Sequence, residues 1–127
     1  MELGATLYIQ NSSEAVDFYQ KAFGMTIGYH EFYEDGTYLH AELMKNGQSI
    51  FAVSEFSDEG IAKAMLNAKM PTMSMGIDFD SEAELKTAYA ALIENGHILR
   101  PIGPLPWSSC SADVVDKFGV CWYIYIP

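Results

Sequence analysis

The chain has 127 residues, with 17 Asp plus Glu against 7 Lys plus Arg and a net charge of −10. Half of it is hydrophobic, which excludes a disordered chain despite the charge, and the length suits one ordinary domain or two small half-domains sharing a core. The charge excludes a nucleic-acid partner, because phosphates must be met by clustered Lys and Arg, and it disfavours an anionic membrane surface for the same reason.

The first element is a strand over residues 3–9: Leu3, Ala5, Leu7 and Ile9 alternate with Gly4, Thr6 and Tyr8, so one face is dry. The run Asn11-Ser12-Ser13-Glu14 supplies polar caps and an early carboxylate for a helix. Ala15, Phe18, Tyr19, Ala22 and Phe23 form its buried stripe, and Gly24 ends it. Strands follow over 25–33, 38–45 and 48–54, separated by Glu34-Asp35-Gly36 and by Asn46-Gly47, a strong hairpin turn. Residues 55–71 change character and read as a linker carrying a short helix with Ile61, Met65 and Leu66 at helical spacing.

The pattern then returns. A strand over 72–79 leads to Ser81, which with Glu84 forms a capping box opening a second helix. Its stripe is Leu85, Ala88, Tyr89, Leu92 and Ile93, and Asn95-Gly96 ends it. Strands over 97–102, 108–115 and 120–126 complete a second β-α-β-β-β run. Both helices open on Ser-Glu-Ala, and the order of elements matches in the two halves, so the chain reads as an internal duplication. The modules are 1–54 and 72–127, joined by the 55–71 linker. Each holds roughly 50 residues, too few for a stable core alone. The fold class is therefore α+β: two tandem βαβββ modules whose curled mixed sheets enclose a concave cavity, a favoured place for a small ligand.

No stretch approaches the roughly 20 apolar residues of a membrane span. The acidic start Met1-Glu2-Leu3-Gly4 does not read as a signal peptide. Cys110 and Cys121 are too few for a disulfide framework and match no zinc spacing, so they read as reduced thiols. A cytoplasmic location is expected.

Several segments resemble one superfamily across nearly the whole chain. They are the helix Glu14-Ala15-Val16-Asp17-Phe18-Tyr19-Gln20-Lys21-Ala22-Phe23-Gly24, the strand Leu39-His40-Ala41-Glu42-Leu43, Trp107, and Asp116-Lys117-Phe118-Gly119-Val120-Cys121-Trp122. Together they resemble the vicinal oxygen chelate superfamily of glyoxalases, bleomycin-resistance proteins and extradiol dioxygenases, and within it the PhnB-like branch. The resemblance implies a homodimer and, in the superfamily's metal enzymes, a divalent ion held from four strands. Those positions fall here on Gly4, Glu42, near Ser74, and on Tyr123, of which only Glu42 is a good ligand. A hard divalent cation needs several oxygens or imidazoles at once, so no metal and no other cofactor is expected.

His40 and Glu42, two residues apart on a strand, project to one face, opposite Ala41 and Leu43. They could be two metal ligands, a general base with its orienting carboxylate, or a polar pair lining a pocket. His30 and His97 have no acidic neighbour at i±2 and read as edge or surface residues. The superfamily's ligand position on Tyr123 places Cys121, Tyr123 and Tyr125 on the cavity face. A hairpin turn at 116–119 then sets Ala112 opposite Tyr123 and Cys110 opposite Tyr125. The expected lining is Thr6, Tyr8, His40, Glu42, Met44, Cys110, Cys121, Tyr123 and Tyr125, with Trp107 as a lid or an interface residue. Such a cavity suits a flat or partly cationic ligand; alternatively, its own tyrosines fill it. Met65, Met70, Met73 and Met75 read as core filling or as an adaptable surface.

Three functions stay open at this point. The first is a metal-independent small-molecule binder. The second is a metal-dependent lyase, isomerase or dioxygenase with a remnant site at Glu42 and His40. The third is a dimeric interaction module.

Overall fold

The computed structural model describes residues 1–66 and 71–127. They form two compact units, Met1–Met65 and Leu66–Pro127. The first contains β1 (Thr6–Ile9), α1 (Ser12–Phe23), β2 (Thr26–Phe32), β3 (Tyr38–Lys45) and β4 (Gln48–Glu55). Then come α2 (Glu59–Leu66), β5 (Met75–Asp78), α3 (Glu82–Ile93), β6 (His97–Leu105), β7 (Ser108–Val115) and β8 (Cys121–Tyr125). The two sheets have the orders β1-β4-β3-β2 and β5-β8-β7-β6, each with its first pair parallel and the rest antiparallel. This is the expected α+β architecture of two βαβββ modules.

In the first unit α1 packs on the sheet face formed by Ala41, Leu43, Phe51 and Val53, all buried. Tyr19 anchors it, stacked on Phe23 at 5.9 Å and edge-on to Phe51 at 5.5 Å. Val16, which the expected stripe omitted, is fully buried, while Phe18 is only half-buried. The start of α1 also differs from expectation. Asn11 adopts a left-handed conformation and its side chain caps nothing. Instead the Glu55 carboxylate, at the end of β4, accepts from the Asn11 and Ser12 N–H groups at 3.1 and 2.9 Å and from Ser12 Oγ at 2.9 Å. Ser12 Oγ in turn accepts from the Tyr38 N–H at 2.9 Å. The Asn46-Gly47 turn is as expected, with both residues at positive φ.

In the second unit Leu85, Ala88 and Leu92 of α3 are buried, and the sheet beneath presents Ala112, Val114, Trp122 and Ile124. Ser81 Oγ accepts from the Glu84 N–H at 3.2 Å, the backbone half of the expected capping box. The β7–β8 turn is held by Asp116, 2% exposed, whose carboxylate accepts from Trp122 Nε1 at 2.8 Å and from the Phe118 and Val120 N–H groups at 2.9 and 3.1 Å.

Two expectations about this sheet are corrected. Val115 pairs with Cys121, so five residues separate the paired ends where four were expected, and the Asp116 N–H donates to Val120 O within that turn. Tyr123 therefore lies opposite Asp113, and Tyr125 opposite Ser111, where Ala112 and Cys110 were expected. A slip of one residue exchanges the faces of a strand. Cys110 thus shares the Ala112 and Val114 side, against α3, and leaves the tyrosine face. The second difference is β6, which runs to Leu105 through Pro101 and Pro104, where a loop was expected after Ile102. It is an edge strand, where a missing N–H costs little, and it shows three register shifts against β7.

Of the linker, residues 59–66 are helical and Ile61 is exposed. Met73 is exposed and Met75 half-buried, so Met73 does not fill the core; Met70 lies outside the described residues. No described helix is long and apolar enough to cross a membrane.

Candidate functional site

Each unit turns one sheet face toward its long helix and carries polar and aromatic side chains on the other. In the first unit, β3 alternation puts His40, Glu42 and Met44 on the face away from α1. Thr6 and Tyr8 join them through β4, because Thr6 pairs with Ala52, which pairs with Glu42, and Tyr8 pairs with Ser54. The structure thus brings together all five expected residues of this half. His40 Nε2 lies 3.8 Å from Glu42 Oε1, too far for a hydrogen bond, with both side chains about one-third exposed.

Two neighbours on β2 were missed. Glu31 pairs with His40, and Tyr29 donates its hydroxyl to Glu31 Oε1 at 2.9 Å with its ring 6.1 Å from that of His40. The hydrogen bond and charge of Glu31 hold the Tyr29 phenol above its ordinary pKa, with smaller contributions from burial and Glu42. Gly28 leaves room for the Met44 side chain: a Cβ there would lie 2.7 Å from Met44 Cγ and Sδ. Alternation on β2 could have found Glu31, but the β2–β3 irregularities hide which residue it faces. His30 and His97 sit exposed on the edge strands β2 and β6, as expected.

In the second unit, Cys121, Tyr123 and Tyr125 share the face away from α3. The two tyrosine rings stack at 4.7 Å, nearly parallel. Trp107, in the β6–β7 turn and 68% exposed, donates Nε1–H to the Tyr123 hydroxyl at 3.0 Å. Cys121 is buried, and burial, with Asp113 and Asp116, pushes its thiol above the ordinary value, so it is a poor nucleophile. The corrected register adds a group that was not expected here. Asp113 pairs with Arg100, whose Nε lies 2.7 Å from Asp113 Oδ2 and whose Nη2 donates to Ser111 Oγ at 2.9 Å. Cys110 is free and buried on the other face. It stands across from Ile126, while Cys121 pairs with Val115 at the far end of β7, about 17 Å away along the strand. That separation rules out an intrachain disulfide.

The residues present do not fit a superfamily-type metal centre. Gly4 has no side chain, Ser74 offers only a hydroxyl, the Tyr123 hydroxyl is engaged by Trp107, and Glu42 is the one carboxylate of the set. Among the described residues no three His, Cys, Asp or Glu side chains converge as a metal site would require.

A family-wide sequence pattern described as 3-demethylubiquinone-9 3-methyltransferase matches residues 3–125. The chain belongs to that family. Among solved structures, the PhnB protein from Bacillus cereus is 26% identical, with complete coverage of both chains and a TM-score of 0.77. Protein PA1353 from Pseudomonas aeruginosa is 23% identical over 99% of this chain and 97% of its own, also with a TM-score of 0.77. A glyoxalase-related enzyme from Fulvimarina pelagi shares 18% identity over 100% of this chain and 88% of its own, with a TM-score of 0.63. The last two likenesses speak for the fold alone. No curated protein sequence gives a significant match. The vicinal oxygen chelate fold and the PhnB-like branch expected from the motifs are thereby established, and they leave the chemistry open, since one fold hosts many functions.

Proposed function

We propose that the chain is a metal-independent small-molecule-binding protein of the glyoxalase and bleomycin-resistance fold, cytoplasmic and homodimeric, in which each unit offers for binding the sheet face turned away from its own long helix. The observation that carries this reading is the composition of those faces. They carry aromatic rings, hydroxyls and a His–Glu pair, with no set of metal donors among the described residues. Aromatic surface edged by a few polar groups is the usual make-up of a small-molecule site. Thr6, Tyr8, His40, Glu42 and Met44 serve in the first unit, and Trp107, Cys121, Tyr123 and Tyr125 in the second.

A second reading is an enzyme, a lyase, isomerase or dioxygenase, or the methyl transfer in the family's description. It rests on His40 and Glu42, 3.8 Å apart, which would have to close to hydrogen-bond distance on substrate binding for the carboxylate to orient an imidazole base. Metal analysis of protein purified without chelator, then titration with Ni²⁺, Zn²⁺ and Fe²⁺, separates the two. The binder reading expects no stoichiometric ion and a ligand-induced rise in Tm that survives EDTA. A tightly bound ion lost in Glu42→Ala overturns it.

A further inference from the structure

We infer that the ligand of the second unit's open face is a flat organic cation, an aromatic ring carrying a positive charge, and that anions are excluded from it. The inference rests on the binder reading and adds the chemical class.

It begins with the basic residues described in this unit. Lys86 lies on α3, paired with Glu82 at 3.6 Å, and Lys117 lies in the β7–β8 turn with Nζ 5.3 Å from the Phe118 ring centre. Only Arg100 stands on the open face, and Asp113 neutralises it at 2.7 Å while Ser111 takes a second of its donors. Among the described residues of this unit, an anionic ligand would meet no uncompensated positive charge on that face.

The aromatic side of the face points the same way. Tyr123 and Tyr125 stack nearly parallel at 4.7 Å, and their π faces carry partial negative charge. Asp78, exposed on β5, pairs directly with Tyr125, and its carboxylate makes no hydrogen bond or ion pair with any described residue. Gly76 pairs with Tyr123 and puts no side chain beside the two rings; even a Cβ there would only reach contact, 3.8 and 3.9 Å away. A free carboxylate next to stacked tyrosines is the combination that attracts an organic cation, since Coulomb and cation–π attraction act together. Trp107, held by its bond to Tyr123 and largely exposed, supplies a further flat surface for a ring.

The test uses one ring in three charge states: N-methylquinolinium, quinoline and quinoline-2-carboxylate at pH 7.5. The chain's two tryptophans give two indole N–H resonances by NMR, and fully buried Trp122 is the internal control for Trp107. Loss of one resonance in Trp107→Phe assigns them. N-methylquinolinium is expected to shift the Trp107 resonance at least tenfold more tightly than the carboxylate, with Trp122 unmoved. Asp78→Asn should weaken the cation about fivefold and leave quinoline unchanged. Asp113→Asn, which frees the Arg100 charge, should raise affinity for the carboxylate. Equal or tighter binding of the carboxylate to the unaltered protein overturns the inference and leaves the binder reading standing. So does an unchanged cation affinity in Asp78→Asn, or an unchanged carboxylate affinity in Asp113→Asn. If none of the three probes moves Trp107, the inference falls, and the metal analysis and Tm measurement decide the binder reading separately.

Discussion

Replacing Glu55 tests whether the first unit is tied together by a carboxylate that caps a helix from another strand. Glu55 accepts two backbone N–H bonds and one hydroxyl bond from the start of α1, all between 2.9 and 3.1 Å. A hydrogen bond to a charged group contributes about 1.5–3 kcal/mol, and a carboxylate at a helix N-terminus adds about 0.3–1 kcal/mol. The Asn11 bond is exposed and water can replace it, so the three together do not reach their sum. Glu55→Ala should therefore destabilise by about 2–3 kcal/mol, which lowers the Tm of a chain this size by roughly 8–12 °C. Glu55→Gln keeps one accepting oxygen and should lose about half as much. Ser12 is the partner to couple with it, since its hydroxyl is buried, donates to Glu55 and accepts from Tyr38. Urea denaturation of Glu55→Ala, Ser12→Ala and the double variant should give a coupling energy of about 1 kcal/mol. A single-variant loss below about 0.5 kcal/mol with no coupling would refute the capping argument.

Three other outcomes follow from particular contacts. Asp116→Ala strands the buried Trp122 indole N–H and two backbone donors, and should cost about 3–4 kcal/mol in urea denaturation, with Asp116→Asn intermediate. Gly96→Ala drives a Cβ into the Val115 carbonyl oxygen, a backbone atom that cannot swing aside, so a loss of at least about 2 kcal/mol is expected. The Thr37 hydroxyl, then its N–H, hold the Asp35 carboxyl below the ordinary aspartate range, so Thr37→Val should raise that titration partway back, read by ¹³C carboxyl NMR. The sign is that of a depressed acid: the turn keeps this contact above the ordinary aspartate range and loses it as pH falls through the folded value.

What the sequence revealed of this fold, and what it hid, divides by the range of the interaction. Short-range chemistry was legible. The Asn46-Gly47 turn defines β3 and β4, and the Ser81 cap marks the start of α3. The alternation of His40, Ala41, Glu42 and Leu43 assigns each side chain its face. The start of α1 was not legible, because its capping oxygen comes from Glu55, a residue far along the chain. The same limit decided the candidate site. Parity along β8 correctly grouped Cys121, Tyr123 and Tyr125, since alternation is a property of one strand. Which residues of β7 share their face depends on the turn between them, and one additional loop residue exchanged Cys110 and Ala112 for Ser111 and Asp113. The consequence is chemical. In the expected register the tyrosines face a thiol and a methyl group, and nothing on β7 offers a charge. In the observed one they face a carboxylate, which brings Arg100 to the same face and neutralises it at once. The polarity of a sheet-lined site is therefore set by register, and the turn that Asp116 holds lies between the two strands whose register decides which groups a ligand meets.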